Sequence, residues 1–308
     1  MRSFGWLPAG WARAGLVLAA MALMTAGAMA AEIDTARGKV TVDTPPRRLA
    51  VFDIAAIDTL DSLGVKIAGV PEKLYVPELD RLKEGAEAVG TIFDPDLEAL
   101  SALAPDLIIV GGRSSPQLEA AARVAPTIDM TIQGDDLIAE AKARLAAYGA
   151  LAGKETEAAR LADELDAAVA RTRAAAEGKG KALILMTSGP KVTAYGEDSR
   201  FGWVHEALDI PPAVTDVEAA THGEAVSFEF IRDANPDWLI VVDRAAAIGS
   251  GEANAKATLD NELVAETTAW KNGDVVYLPA ADFYIAAGGI GATTRVLETL
   301  RAAFSKPQ

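Results

Sequence analysis

The stretch Lys154–Glu177, KETEAARLADELDAAVARTRAAAE, decides how the rest of the chain is read. It holds neither Gly nor Pro and is built largely from Ala, Leu, Glu and Arg, the residues that lose least on entering a helix. Leu161, Leu165, Val169 and Thr172 recur every three or four positions, so one apolar stripe runs along a charged rod. At the α-helical rise the rod is about 36 Å long, the width of a small domain. Gly153 before it and Gly178-Lys179-Gly180 after it are stop signals. Alone, such a helix either covers one large domain or connects two, and the flanking sequence favours the second.

On one side lies EALSALAPDLIIVGGR (98–113) and on the other EFIRDANPDWLIVVDR (229–244). Glu, Pro, Asp, Ile, Val and Arg coincide without a gap at a constant spacing of 131 residues. Internal self-similarity of this kind marks a repeated structural unit. Each copy reads as a helix, a Pro-Asp turn, a continuous apolar strand of the kind buried in parallel sheets, and a loop carrying Arg. The expected architecture is α/β: two lobes, residues 31–153 and 178–308, joined by one long helix at 154–177.

Residues 1–30 read as a cleaved secretory leader. Arg2 and Arg13 precede or open an apolar run ending at Ala28-Met29-Ala30, a small-residue cleavage site. The run is short for a stable membrane span, so export to the periplasm is expected without membrane insertion. The chain has no Cys, which removes disulfides, thiolate metal sites and a lipidated anchor. A net charge of −15, before the loss of a basic leader, makes a poor nucleic-acid binder and disfavours anionic lipid.

The remaining pattern alternates strands and helices. Leu49–Phe52 reads as a buried strand, with Asp53 capping a helix over 54–63 that Gly64 ends. Val65–Val70 reads as the next strand, 71–91 as loop-rich, and a helix from Asp136 breaks near Gly149 before the rod. Beyond the rod, Ala182–Thr187 and Val192–Tyr195 read as strands, Gly202–Leu208 as a helix carrying His205, and Thr293–Phe304 as a closing helix.

Arg113, Arg200 and Arg244 all follow expected strands. Ligands of open α/β sheets bind at the carboxyl ends of strands, and three guanidiniums facing one cleft would hold an anion in fixed-fork geometry. Any one alone reads as a surface ion pair; the repeat makes Arg113 and Arg244 equivalent and favours a shared role. His205 reads as a packed or surface residue, and two His are too few for a zinc site. His222, in a loop beside Gly223, and Tyr284 read on sequence alone as an ordinary loop residue and a half-buried aromatic. Glu98 and Glu229 sit in first helical turns, where the dipole favours an acid. Gly288-Gly289-Ile290-Gly291 has the form of an anion-binding turn but lacks the phosphate-loop Lys. No nucleophile–base signature is present, so catalysis is not expected.

The strings PDLIIVGGR (105–113), AYGEDSRFG (194–202), HGEAVSFEFI (222–231), NPDWLIVVDR (235–244) and AWKNGDVVYLPAADFYIAAGG (269–289) resemble the periplasmic binding proteins of iron–siderophore and vitamin B12 ABC importers. The resemblance is closest to the ferric catecholate branch and covers the chain beyond the leader. It implies a class III bilobal fold with no intrinsic cofactor and iron(III) carried inside the siderophore. It implies that Arg113, Arg200 and Arg244 bind the anionic complex and that His222 and Tyr284 complete iron coordination when the siderophore supplies four donors. Glu98 and Glu229 would dock on the permease, whose ATPase drives uptake; the protein would act as a monomer. Fe³⁺ is hard and suits phenolate, with imidazole acceptable, which agrees with that donor pair. A haem or corrinoid binder of the same fold, or a two-lobed periplasmic enzyme, are the other readings.

Overall fold

The computed structural model describes residues 29–133, 136–217, 223–250 and 254–306. Residues 1–28 of the expected leader lie outside them; Met29 and Ala30 open β1 (Met29–Thr35), which pairs antiparallel with β2 (Gly38–Thr44). The first lobe is a five-stranded, all-parallel sheet of β3 (Leu49–Val51), β4 (Gly69–Val70), β5 (Glu87–Ala88), β6 (Leu107–Val110) and β7 (Thr127–Asp129), in the order β5-β4-β3-β6-β7. The second sheet contains β8 (Ala182–Ser188), β9 (Lys191–Tyr195), β10 (Glu224–Val226), β11 (Trp238–Asp243) and β12 (Val275–Tyr277), in the order β10-β9-β8-β11-β12. Here β8, β11 and β12 run parallel, while β9 is antiparallel to β8 and β10 to β9.

The rod forms over Glu155–Ala176 and is the chain's passage from one sheet to the next. It buries Ala158, Leu161, Leu165, Ala168, Thr172 and Ala176, the face its apolar spacing selects. The helix before it, Leu137–Ala152, runs unbroken through Gly149 and stops at Gly153, whose φ of 63° suits a residue without a side chain. Gly149 has a packing role instead of the expected break. A Cβ there would stand 2.7 Å from the Ala158 methyl, so the missing side chain lets the two helices close on each other. The expected strand over 65–70 shrinks to Gly69–Val70.

The sequence repeat is a structural repeat. Leu49 faces Leu107 across β3 and β6, and Ala182 faces Trp238 across β8 and β11. Ala104 and Asn235, one repeat apart, both end their helices in the left-handed region, with φ of 49° and 38°. Asp106 accepts the backbone N–H groups of Arg47 and Arg48 at 2.6 and 3.0 Å, and Asp237 accepts that of Lys181 at 2.8 Å. In each lobe the Pro-Asp turn therefore pins the start of the neighbouring strand.

Strand residues alternate between two cores. Leu107 and Ile109, with their counterparts Trp238 and Ile240, face one apolar core shared by both lobes. Ile108 and Val110 face a core private to the first lobe, and Leu239 and Val241 one private to the second. Burial on both faces explains why these strands read as unbroken apolar runs. The C-terminal helix, Ile290–Phe304, packs on both the rod and the first helix, Ile54–Ser62. No helix among the described residues is long and apolar enough to cross a membrane.

Candidate functional site: a three-arginine cleft

Arg113 lies in a 3-10 turn, Gly112–Gln117, that follows β6. Arg244 opens the helix Arg244–Ile248 after β11. Both are delivered by the carboxyl ends of parallel strands, as the repeat predicts. Arg200 arrives differently, because β9 is antiparallel. Its neighbour Phe201 stacks on Phe283 at 4.3 Å and against Tyr195 at 4.6 Å, and this aromatic cluster anchors the turn.

All three arginines converge on Tyr284, the last residue of the short helix Ala280–Tyr284. The Arg113 and Arg200 guanidiniums both donate to the Tyr284 carbonyl, at 3.0 and 3.1 Å, and Arg113 also reaches the Ile285 carbonyl at 3.4 Å. Each guanidinium lies near the Tyr284 ring, 4.9 Å from its centroid for Arg113 and 4.7 Å for Arg200. Arg244 lies near enough to the phenol to lower its pKa. Burial pushes the Tyr284 phenol up, but the nearby Arg244 and the charges of Arg113 and Arg200 outweigh it and hold the group below its ordinary value. Burial and then the proximity of Arg113 lower the pKa of Arg200.

The partners of these arginines are helix-end carbonyls and a phenol, all neutral. No carboxylate among the described residues forms an ion pair with any of the three. In a chain of net charge −15 this leaves a concentrated positive site. Beside it is a cavity of about 390 Å³ between the lobes, lined by Gly112, Arg113, Asp198, Ser199, Arg200 and Ile285 among others.

His222 lies outside the described residues, so its place relative to Tyr284 is not part of this geometry. The chain resumes at Gly223, where an added Cβ would stand 3.0 Å from the Tyr195 ring. His205 is a packed residue, 3% exposed, with Nδ1 2.9 Å from the Ile210 carbonyl. Glu98 and Glu229 are both exposed at helix starts, the first beside its N-cap Asp96 and the second beside Ser227. A hydrogen bond from its own backbone N–H, then Ser227, holds the Glu229 carboxyl below its usual range.

Two features escaped the sequence reading. Lys73, in the segment after β4, crosses to donate to the Ile248 carbonyl at 2.5 Å. The glycine turn at 288–291 does take an anion, but that anion is the carboxylate of Asp58 from the other lobe, which accepts the Ala292 N–H at 2.9 Å. No signal in the sequence pairs residues so far apart.

Two α/β lobes, one connecting helix and a cationic interlobe cleft define a solute-binding protein, and the family model described as "Periplasmic binding protein" matches residues 49–281. The chain belongs to this family. It is 32% identical over 265 residues to the petrobactin-binding protein YclQ of Bacillus subtilis, covering 85% of this chain and 83% of that one. It is 32% identical over 273 residues to the ferric-anguibactin-binding protein FatB of Vibrio anguillarum, covering 85% and 84%. Among solved structures, the periplasmic catecholate-siderophore binding protein VctP from Vibrio cholerae superimposes with a TM-score of 0.82 at 30% identity, over 89% of this chain and all of the other (100%).

Proposed function

We propose that this chain is the periplasmic solute-binding component of an ABC importer and that it carries an anionic ferric siderophore of the catecholate class. The observation that carries the reading is the convergence of Arg113, Arg200 and Arg244, from both lobes, with no carboxylate partner among the described residues. Such a cluster suits a multiply charged anion better than a neutral or apolar ligand. Catecholate and petrobactin carriers among the similar proteins support the same ligand class.

In this reading Arg113, Arg200 and Arg244 bind the complex, and Tyr284 with His222 supplies the donors that a tetradentate siderophore leaves vacant. The iron is cargo. A phenol already eased toward its anion by three arginines is suited to a hard cation. Glu98 and Glu229 dock on the permease, the leader at 1–30 directs export, and the lobes divide at 31–153 and 178–308.

Titration of the purified protein with ferric catecholate, ferric hydroxamate and haem, followed by intrinsic fluorescence, tests the proposal. Trp203 lies 6.0 Å from Phe283, next to Tyr284, and is placed to report. Saturable quenching by the catecholate complex at concentrations where the other two are silent is expected. Tighter binding of haem or the hydroxamate would overturn it.

A further inference from the structure

Asp58, Arg295 and Asp282 form a bridge between the lobes that the ligand reading does not use, with both carboxylates buried and the Arg295 side chain 31% exposed. Asp58 lies on the first helix, one turn beyond Ala55, which lines the cavity. Asp282 lies two residues before Tyr284 on the same short helix. Arg295, on the C-terminal helix, joins them: Nη2 donates to Asp58 Oδ1 at 2.8 Å and to Asp282 Oδ1 at 2.7 Å, and Nε to Asp282 Oδ2 at 3.0 Å. The carboxylates are 2% and 4% exposed.

The same segment of the first helix caps the C-terminal helix. Gly289 has no side chain to offer, and the orphan N–H groups of Ile290 and Ala292 go to Thr59 Oγ1 at 3.2 Å and Asp58 Oδ2 at 2.9 Å. A Cβ on Gly289 or Gly291 would stand 2.7 or 2.9 Å from the Asp58 oxygens, so only glycine allows this approach.

Stability alone is a poor reason for such an arrangement. Two buried carboxylates share one guanidinium, and buried ion groups are often no more stabilising than apolar residues of equal volume. A bidentate guanidinium fork does fix orientation. We propose that Arg295, held between Asp58 and Asp282, is the positioning residue for Tyr284. It sets the Ala280–Tyr284 helix against the first lobe, so that the Tyr284 phenol and carbonyl meet Arg113 from the opposite side of the cleft. The ligand-dependent part of this inference rests on the siderophore reading above; the lobe-fixing part does not.

The test uses a neutral network of similar shape, Arg295→Met with Asp58→Asn and Asp282→Asn, and Asp282→Asn alone should the triple variant fail to fold. Spin labels at Glu98→Cys and Glu229→Cys, exposed in a Cys-free chain, report the distance between lobes without any ligand. Wild type is expected to give one narrow distance and the variant a broadened one. Affinity for a tetradentate ferric catecholate should fall roughly tenfold or more, as when a residue supporting a metal ligand is lost. Affinity for a hexadentate complex should change far less, and the shift of the iron charge-transfer band that Tyr284 coordination would produce in wild type should vanish, as it should in a separate Tyr284→Phe variant. An unchanged distance distribution overturns the inference, and so does an unchanged tetradentate preference and spectrum. If wild type itself binds no ferric complex, the siderophore reading fails, while the label distance still decides whether the bridge fixes the lobes.

Discussion

Arg113, Arg200 and Arg244 each bring a full charge to a cleft in which no described carboxylate pairs directly with them. Arg113 and Arg200 both donate to one carbonyl oxygen and repel each other there, a repulsion that an anion between them would relieve. Replacing any one by Ala is expected to weaken a ferric catecholate by roughly 1.5–3 kcal/mol, the worth of a charged hydrogen bond, and isothermal titration of the three variants checks this. Asp129 supports the cluster from behind. It accepts Ser115 Oγ at 2.6 Å and Thr131 Oγ1 at 2.5 Å, and Thr131 Oγ1 in turn accepts the Gly112 N–H at 2.9 Å, which fixes the turn bearing Arg113. Burial would raise the Asp129 carboxyl, but bonds from Ser115, Thr131 and Arg37 overcome this and hold it below its ordinary value. A depressed acid contributes stability above its unfolded pKa and loses it as pH falls through the folded value. Melting temperature should therefore fall below about pH 4, and Asp129→Asn should flatten that acid limb. The arginines were legible in the sequence because two of them recur in register at strand ends. Asp129 was not, because nothing local marks an acid that acts by bracing a turn through hydroxyls.

At the scale of elements, the helix–turn–strand unit around Ala104 and its copy around Asn235 close in the same left-handed conformation with different residues. Asn tolerates this region well, whereas Ala meets a steric penalty that Gly lacks. Ala104→Gly is expected to stabilise the protein by about 0.5 kcal/mol, and Asn235→Gly to change little. Urea unfolding of both variants decides it; destabilisation by Ala104→Gly would mean that the cap is held by contacts beyond its own backbone. Long elements were read well, since the rod's stripe and the apolar strands carry their period in the sequence. Gly149 was misread because a glycine that permits helix contact and one that ends a helix look alike until the partner, here Ala158, is known.

For the whole molecule, one continuous core and a C-terminal helix gripping both lobes imply small closing motions and a surface that changes little on binding. Recognition by a transporter then falls to fixed features of the lobe tips. Glu98 and Glu229, equivalent by the repeat and exposed, are the candidates. Glu98→Ala combined with Glu229→Ala should leave ligand affinity intact and abolish ligand-stimulated ATP hydrolysis in reconstituted transporter; a wild-type rate would reduce both to helix-start acids. The two-lobed plan was visible in the repeat and the rod, but the union of the lobes was not, because it depends on Asp58 meeting Arg295 from the far end of the chain.

That meeting also sets a timetable. Asp58 is made early and its guanidinium and helix cap nearly last, and at about 5–20 residues per second the interval is on the order of 10–50 s. Throughout it the first lobe carries an acid with no counter-charge and an apolar helix face with nothing to cover it. The first lobe therefore completes its native contacts only when the C-terminal helix docks on it. Until residues 290–304 dock, the first helix lacks both the packing of the C-terminal helix and the guanidinium of Arg295.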